Sequence, residues 1–535
     1  MVHADHAKLI VRKRRSRVSL RNTQEPDHAR QQAPRTCVAP SGPSGTTGMS
    51  RRAQSHRPTV AVIGAGFSGL MTALSLLEQP DGPRVRLIER RRSFGRGAAY
   101  STTFKDHLLN VRASNMSAFP DQPDHFVNWL AAEGEETGAT AFARRSRYGA
   151  YLQAMLAKAA ERSEAGRLLL EADGVVGLAP RDGRWRLTYD MGRALDVDAV
   201  VLAVGNFPPH QPAGVSDEAA ASPRFAADPW SADLGHTPEG GLAVLIGTGL
   251  TMVDVALRLA TERPDLKLLA ISRRGLLPHR HLESGPPPLI WDPGRRPSAR
   301  RLIRQMRALA RSADWRSVVD GVRPHVQDIW RGWTADERDR FLRHARQWWD
   351  IHRHRLAPAV AAQIDGLIRS GALTVRAGRI SRIAEQGEGL VVDWRPKGER
   401  TPQTAPVCLV VNCTGPTGQL ARSPDPLIAD LARQQLVRPD RQNLGLDVDA
   451  LGRLIAADGV PSPTLYSIGP VTRGAFWEIT SVPDIRVQAV TLARQLSGQL
   501  RNQDAEPWPG RMTALPELEI HHESHDRPTA QEAWT

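Results

Sequence analysis

The sequence is poor in cysteine: its 535 residues include only Cys37, Cys408 and Cys413. No two of them form a C-x-x-C pair, which argues against a dithiol relay. Few, unpaired thiols fit a reducing compartment, and a cytoplasmic location is expected. Cys408 and Cys413 flank a Leu-Val-Val run and read as buried strand residues. Nowhere does the chain approach the roughly 18 uninterrupted apolar residues of a membrane helix, so no membrane span is expected. Lysine is also scarce, at 6 of 71 basic residues. So much arginine, with so much alanine, reads as coding bias rather than as a binding surface. The net charge of +14 is uneven: residues 1–57 hold 12 Lys+Arg against 3 Asp+Glu. The remainder is close to the charge of an ordinary domain pair, and a nucleic-acid partner is not expected.

Residues 1–57 are rich in Arg, Ser, Pro and Gln without hydrophobic periodicity, and a disordered basic tail is expected there. Val11–Arg17 (VRKRRSR) has no apolar stretch behind it, so it does not fit a twin-arginine export signal. A solvated tail, or a start placed upstream of a genuine one at Met49, is the simpler reading. Residues 506–535 are expected to form a second loose tail.

The first ordered pattern is strand, tight turn, helix, strand. Thr59–Gly64 is a β-branched apolar run, Leu70–Glu78 has helical spacing, and Val85–Glu89 is the next strand. The turn is Gly64-Ala65-Gly66-Phe67-Ser68-Gly69, and Glu89 stands at the tip of the second strand, followed by Arg90. A lone G-x-G-x-x-G carries little weight, but this one joins a strand to a helix and has its acid in place. Gly64 permits the turn, Gly66 lets a diphosphate approach the backbone, and Gly69 lets the helix pack on the strand. The helix N-terminus offers free N–H groups and partial positive charge. Glu89 would accept from the ribose hydroxyls, and the dinucleotide expected here is FAD.

A second strand–turn–helix opens at Leu242–Gly247 and carries Gly247-Thr248-Gly249-Leu250-Thr251-Met252, with Asp254 inside the helix. The third glycine is missing. The following strand, Leu266–Ser272, ends at Arg273-Arg274 with no acid at its tip. An acid there favours a free 2′-hydroxyl and arginine a 2′-phosphate, so NADPH is expected rather than NADH. The plain alternative is that both arginines are only surface residues. Two dinucleotide folds in one chain have a simple chemical meaning: one holds a flavin and the other delivers hydride to it.

Residues 279–370 carry Arg-, Trp- and Ala-rich helical patterns, among them Arg300–Ala310 and Asp336–His352, and are expected to be a helical insertion. Within it, Trp348, Trp349, His352, Arg353, His354 and Arg355 form an aromatic–basic cluster. It is read as core tryptophan with a solvated basic flank, against the alternative of an anion or cofactor-phosphate contact. The histidine spacing does not suit a metal site, and none is expected.

Two stretches share one order. Residues 168–205 read as strand, turn at Arg181–Gly183, strand, then a buried strand ending at Gly205. Residues 373–415 repeat it and end at Thr414-Gly415. Both are expected beside the flavin nucleotide. Near the C-terminus, Leu465–Gly469 is a strand, and Ser481-Val482-Pro483-Asp484 has capping-box spacing at the start of a helix. Such a helix, aimed at the flavin, would stabilise its reduced charge; an ordinary capped surface helix is the alternative.

These motifs together carry a resemblance. VIGAGFSGL (Val62–Leu70), GRGAAYST (Gly95–Thr102), HLLNVRASNMSAFP (His107–Pro120), DHFVNWL (Asp124–Leu130), VLIGTGLTMVD (Val244–Asp254), ISRRGLLP (Ile271–Pro278), RHR (Arg353–Arg355), NCTGP (Asn412–Pro416) and VPDIRVQA (Val482–Ala489) resemble the bacterial FAD/NAD(P)-binding proteins of the YdhS type. That family looks related to two-domain flavin monooxygenases, including N-hydroxylating and Baeyer–Villiger enzymes, and some similar sequences are described as FAD-dependent urate hydroxylases. The resemblance covers nearly all of residues 58–500. It implies a flavin-facing role for Asn110, Met116 and Ser117. Phe225–Ser231 lacks the glycine and histidine of the Baeyer–Villiger motif, which speaks against that chemistry.

The expected architecture is α/β, with two Rossmann-like domains and a helical insertion. The FAD domain would comprise 58–235 and 372–505, and the NADPH domain 236–371. The expected function is an NADPH-reduced monooxygenase acting on a small organic molecule and O2 through a C4a-(hydro)peroxyflavin. The alternatives are a reductase serving a quinone or protein partner, or a flavin-binding sensor. No general base and no oligomeric state can be read from the sequence.

Overall fold

The computed structural model describes residues 57–135, 138–234, 240–387, 389–420 and 423–503. The expectations for the basic tail, Cys37, Met49 and residues 506–535 fall outside them. Two sheets, each built on one glycine turn, organise the rest.

In the first, β1 (Thr59–Ile63) leads into helix α1 (Phe67–Leu77) and β2 (Arg84–Ile88). Helix α2 (Arg145–Arg162) follows and buries Tyr148, Tyr151, Leu152, Met155 and Leu156 on one face, the face that the apolar spacing predicts. Strand β3 (Leu168–Glu171) pairs parallel with β2. It therefore belongs to the nucleotide sheet, not to the hairpin that the sequence suggests. The hairpin proper is β4 (Val175–Arg181) and β5 (Arg184–Tyr189), joined at Asp182-Gly183 and extended by β6 (Ala194–Val197). The wholly buried β7 (Ala199–Leu202) then returns to lie parallel beside β1.

The second sheet opens with β8 (Phe225–Ala226) and β9 (Gly241–Ile246), then helix α3 (Leu250–Glu262) and β10 (Leu266–Ser272). The helical insertion follows: α4 (Ala299–Leu309), α5 (Trp315–Val322), α6 (Val326–Gly332), α7 (Ala335–His344) and α8 (Arg346–Arg353). The single pattern expected over 336–352 is broken at Ala345 into α7 and α8. Helix α9 (Pro358–Arg369) leads back to β11 (Leu373–Gln386), β12 (Gly389–Pro396), β13 (Gln403–Val407) and β14 (Leu409–Asn412). The chain then completes the first sheet with β15 (Arg453–Ile455), β16 (Pro461–Ser467) and the long helix α10 (Val482–Gln503).

The strand orders are β15-β16-β7-β1-β2-β3 and β13-β12-β11-β10-β9-β14-β8, with β4-β5-β6 forming a separate three-stranded sheet. They correct the expected partition. Strand β11 pairs parallel with β10 over Leu373–Ala377, and β14 pairs parallel with β9. Residues 373–412 and Phe225–Ala226 thus belong to the second nucleotide sheet, not the first. The two similar passages serve one sheet each. In the second, β11 does the work of both β3 and β4, crossing from the nucleotide sheet into antiparallel pairing with β12. It turns at Gly378, where a Cβ would lie 2.6 Å from the Trp394 ring.

Each sheet has its own apolar core. The first includes Val62, Leu87, Val201 and Leu465, and the second Leu245, Met252, Leu268 and Val411. A smaller core around Trp330, Trp333, Phe341 and Trp477 fastens the insertion to the segment before α10. Among the described residues no helix is long and apolar enough to cross a membrane.

Candidate functional site

The turn after β1 is shaped by three glycines with three separate reasons. Gly64 has φ +98, and a Cβ there would sit 2.4 Å from the carbonyl oxygen of Ala203. A Cβ on Gly69 would overlap the Gly64 carbonyl at 1.8 Å. Gly66 is the extended N-cap of α1, with no side-chain cap. A Cβ there meets only Gly97, at 3.4 Å from its Cα, and Gly97 itself takes φ +55. Two side-chain-free residues therefore lie against one another at a helix N-terminus, which leaves its free N–H groups open to the approach of an anion such as a diphosphate. Elsewhere Ser216, Ser298, Asp314, Thr334 and Asp425 cap their helices with side-chain oxygens. At the two glycine turns no side chain takes that position.

Glu89 stands beside this turn. Its Oε2 accepts from Ala65 N (2.9 Å) and its Oε1 from Arg91 N (2.9 Å), which holds the carboxylate at the tip of β2. Arg90 is exposed and pairs with Asp425 at 2.6 Å. Ser68 and Gly469 meet across the sheet: a Cβ on Gly469, where φ is +81, would lie 2.2 Å from Ser68 Oγ. Gly205 follows β7 at φ +76, with nothing within 4 Å of a Cβ.

The second turn copies the first. Gly247 has φ +114, and its Cβ would meet the Cys413 carbonyl at 2.7 Å, as that of Gly64 meets Ala203. Gly415 follows β14 at φ +81, as Gly205 follows β7. Gly249 is an extended N-cap of α3 without a side-chain cap, and Leu250 and Thr251 begin that helix. Met252, in place of the third glycine, is fully buried. Thr248 Oγ1 donates to Leu276 O (2.5 Å) and lies 2.9 Å from Ser272 Oγ, tying the turn to the end of β10. Thr414 donates to Asn412 Oδ1 through its N–H (3.3 Å) and its hydroxyl (2.7 Å). Arg273 and Arg274 are exposed at the tip of β10.

The residues that the resemblance assigns to the flavin have structural work of their own. Met116 is buried in the first core. Ser117 Oγ donates to Gln122 O (2.6 Å) within its own turn, and Ser117 O accepts from Arg486 Nη1 (2.6 Å). Asn110 O accepts from His281 Nε2 at 3.2 Å, linking this loop to the insertion. Asp484 does not complete a capping box. Ser481 Oγ donates to the Asp484 carboxylate instead of accepting from its backbone, and Arg323 Nη2 donates to both, at 3.1 and 3.4 Å.

Sequence reasoning missed the junction between the two cradles. Arg145, on the helix packed against the first turn, meets Asp254, buried in α3: Nη1 lies 2.8 Å from Oδ2 and Nη2 donates to Oδ1 at 3.1 Å. Arg145 Nε also donates to Leu108 O (3.0 Å). His107 is buried beside them, its Nδ1 2.8 Å from Thr102 Oγ1 and its Nε2 donating to Asp254 O at 3.1 Å. Burial holds its imidazole below the usual range, against the pull of Asp254. The available signal was an acid in an otherwise apolar helical run, which needs a partner when buried.

The aromatic–basic cluster is also corrected, because its basic flank is not solvated. Trp349 Nε1 donates to Glu478 Oε1 (2.8 Å), and Arg353 pairs with Glu478 Oε2 at 3.1 Å. Arg355, almost wholly buried, forks onto Asp320 at 2.8 and 3.0 Å. Burial alone would raise the Glu478 carboxyl, but His354 and Arg353 hold it well below the usual carboxylate range. Trp348 alone stays open, at 45% exposure.

A chain with two such cradles has the architecture of a flavoprotein with two dinucleotide-binding domains. Residues 61–207 match a family model described as FAD-NAD(P)-binding, which makes this part an FAD/NAD(P)-binding domain. No curated protein matches the sequence. Among solved structures, the reduced form of the Pseudomonas aeruginosa ornithine hydroxylase is similar at TM-score 0.59 and 16% identity, covering 83% of this chain and 100% of that one. An ornithine N-hydroxylase of Kutzneria sp. 744, solved with FADred, NADP+ and L-orn, gives TM-score 0.58 and 15% identity, covering 83% and 100%. The FAD-bound cadaverine monooxygenase of desferrioxamine biosynthesis from Erwinia amylovora gives 0.57 and 15%, covering 87% and 99%. At these identities the likeness establishes the fold.

Proposed function

We propose that this chain is an FAD-dependent oxidoreductase reduced by NADPH, acting as a monooxygenase on a small organic molecule, and that it belongs to the YdhS-type subfamily in the cytoplasm. The observation that carries the reading is the duplication itself: two glycine turns of one construction, bolted together by Arg145 and Asp254. In the first cradle Gly64, Gly66, Phe67, Ser68 and Gly69 take the FAD diphosphate, and Glu89 accepts from the ribose. Arg90, Asn110, Met116, Ser117, Gly205, Gly469 and Asp484 frame the rest of that site. In the second, Gly247, Gly249, Leu250 and Thr251 take the NADPH diphosphate, Arg273 and Arg274 its 2′-phosphate, and Thr414-Gly415 the edge of the cleft.

Bound FAD supplies a hydride acceptor and, once reduced, the means of activating O2. The protein binds, orients and excludes water. The α1 N-terminus opposes the diphosphate charge, the Arg145–Asp254 pair keeps the cradles in register, and the tryptophan core of the insertion seals the segment before α10. Cys413 is buried, and burial pushes its thiol well up; burial also raises Cys408, only partly covered. Neither suits thiol redox chemistry, so electrons leave to a small molecule or O2. The hydroxylase and monooxygenase activities named for the three similar structures favour a monooxygenase over a reductase.

The test is anaerobic bleaching of the purified yellow protein by NADPH against NADH, followed by substrate-dependent incorporation of labelled oxygen. The proposal expects faster bleaching by NADPH. Acceptor-dependent oxidation without incorporation would replace the monooxygenase by a reductase. A flavin that neither nucleotide bleaches would leave a sensor.

A further inference from the structure

Arg273 does not simply face solvent. It lines a cavity of about 400 Å³ whose other walls are Asp339, Leu342 and Arg343 of α7 and Gln347 of α8. That volume lies within the roughly 300–1,000 Å³ of small-molecule sites. The cavity begins at the tip of β10, which Thr248 and Ser272 tie to the second glycine turn. In an α/β sheet a dinucleotide crosses the strand ends in this direction, from the diphosphate at the glycine turn to the adenosine at the next tip. Beside the cavity, the Arg274 guanidinium lies over the Trp348 ring at 5.7 Å, and Trp348 is the exposed tryptophan of the insertion.

From this arrangement, and resting on the NADPH reading above, we infer that the helical insertion forms the second wall of the adenosine 2′-phosphate subsite, with Arg343 opposing Arg273 as a two-arginine clamp. Two guanidiniums against one carboxylate leave the cavity net positive, suited to a phosphate dianion. Asp339, one turn before Arg343 on α7, is the acceptor available to a ribose hydroxyl. Gln347 Oε1 is buried without a hydrogen-bond partner. An unpaired buried carbonyl oxygen is costly, and a turn of the Gln347 side chain into the cavity would let it accept from the adenine amino group. Trp348 supplies the planar surface on which an adenine stacks.

Calorimetric titration of the FAD-loaded protein with adenosine 2′,5′-bisphosphate and with 5′-ADP tests this. The wild type should prefer the bisphosphate. Arg343→Ala, at an exposed position where folding is not at stake, should weaken the bisphosphate roughly tenfold, the loss of one charge-assisted contact, and leave 5′-ADP unchanged. Trp348→Ala should weaken both ligands. If Arg343→Ala binds the bisphosphate like the wild type while Arg273→Ala does not, the insertion is no part of the subsite and the NADPH reading stands. If the wild type retains FAD but shows no preference between the two nucleotides, the NADPH reading fails and this inference falls with it.

Discussion

The Arg145–Asp254 pair joins the two domains directly at their glycine turns, so Asp254→Ala is an informative perturbation. The side chains keep 16% and 10% of their exposure, and the contact has two arms, of 2.8 and 3.1 Å. Breaking a fully buried pair costs about 3–5 kcal/mol, because the surviving charge is left desolvated. Allowing for the residual exposure, Asp254→Ala should cost about 2–3 kcal/mol. Asp254→Asn, which keeps an acceptor for Nη2 but loses the charge, should cost less. Arg145 has a second bond, to Leu108 O, so its own variant overstates the pair. A double-mutant cycle removes that excess, and a coupling of about 2 kcal/mol is expected. The assay is urea unfolding followed in parallel by flavin release and by far-ultraviolet circular dichroism. The wild type should lose both signals together. In the Asp254 variant the second domain, less firmly anchored, should unfold at lower urea than the flavin domain, and bleaching by NADPH should slow. Coincident transitions with a coupling below about 0.5 kcal/mol would refute the assignment of this pair as the latch.

Gly66→Ala and Gly69→Ala should fail in different ways. A Cβ on Gly66 meets the protein only at 3.4 Å, so the variant should fold but bind FAD at least about tenfold more weakly, read by flavin content and titration. A Cβ on Gly69 overlaps backbone at 1.8 Å, so that variant should be recovered as aggregate. His281, which burial and then Arg355 pull down to about 4 from 6.5, stays neutral in the fold while the unfolded chain takes up a proton. Its contribution is full above its unfolded value and falls as pH drops from 6.5 toward 4; His281→Asn should flatten the loss of urea midpoint between pH 7.5 and 5. Glu478→Gln leaves buried Arg353 without a counter-charge and should lower stability by about 3 kcal/mol, with a change in tryptophan fluorescence because Trp349 donates to the same carboxylate.

Local features were legible and pairings across long separations were not. Strand β1, its glycine turn, α1 and β2 could be read because all four signals fall within about thirty residues and agree. The same holds for β9, α3 and β10. The membership of residues 373–412 could not be read, because both domains run strand, hairpin and return in one order. The parallel pairings of Leu373–Ala377 with β10 and of β14 with β9 reveal the owner. Gly97 lies in the Gly95–Thr102 motif without a role that the sequence assigns, and its meaning appears only when its Cα lies against Gly66. The basic flank of α8 looked solvated because its acid, Glu478, arrives from the far end of the chain. Glu478 also holds φ +69, a conformation costing a non-glycine residue roughly 1–3 kcal/mol, and it persists because Arg353, Trp349 and His354 over-determine it. Helix α8 thus has one edge at the Arg273 cavity, through Gln347, and another on the segment that leads into α10, through Trp349 and Arg353. A single helix therefore connects the proposed adenosine subsite with the segment before α10. On the proposed reading, a nucleotide held at the first edge would bear on the chain beside the second.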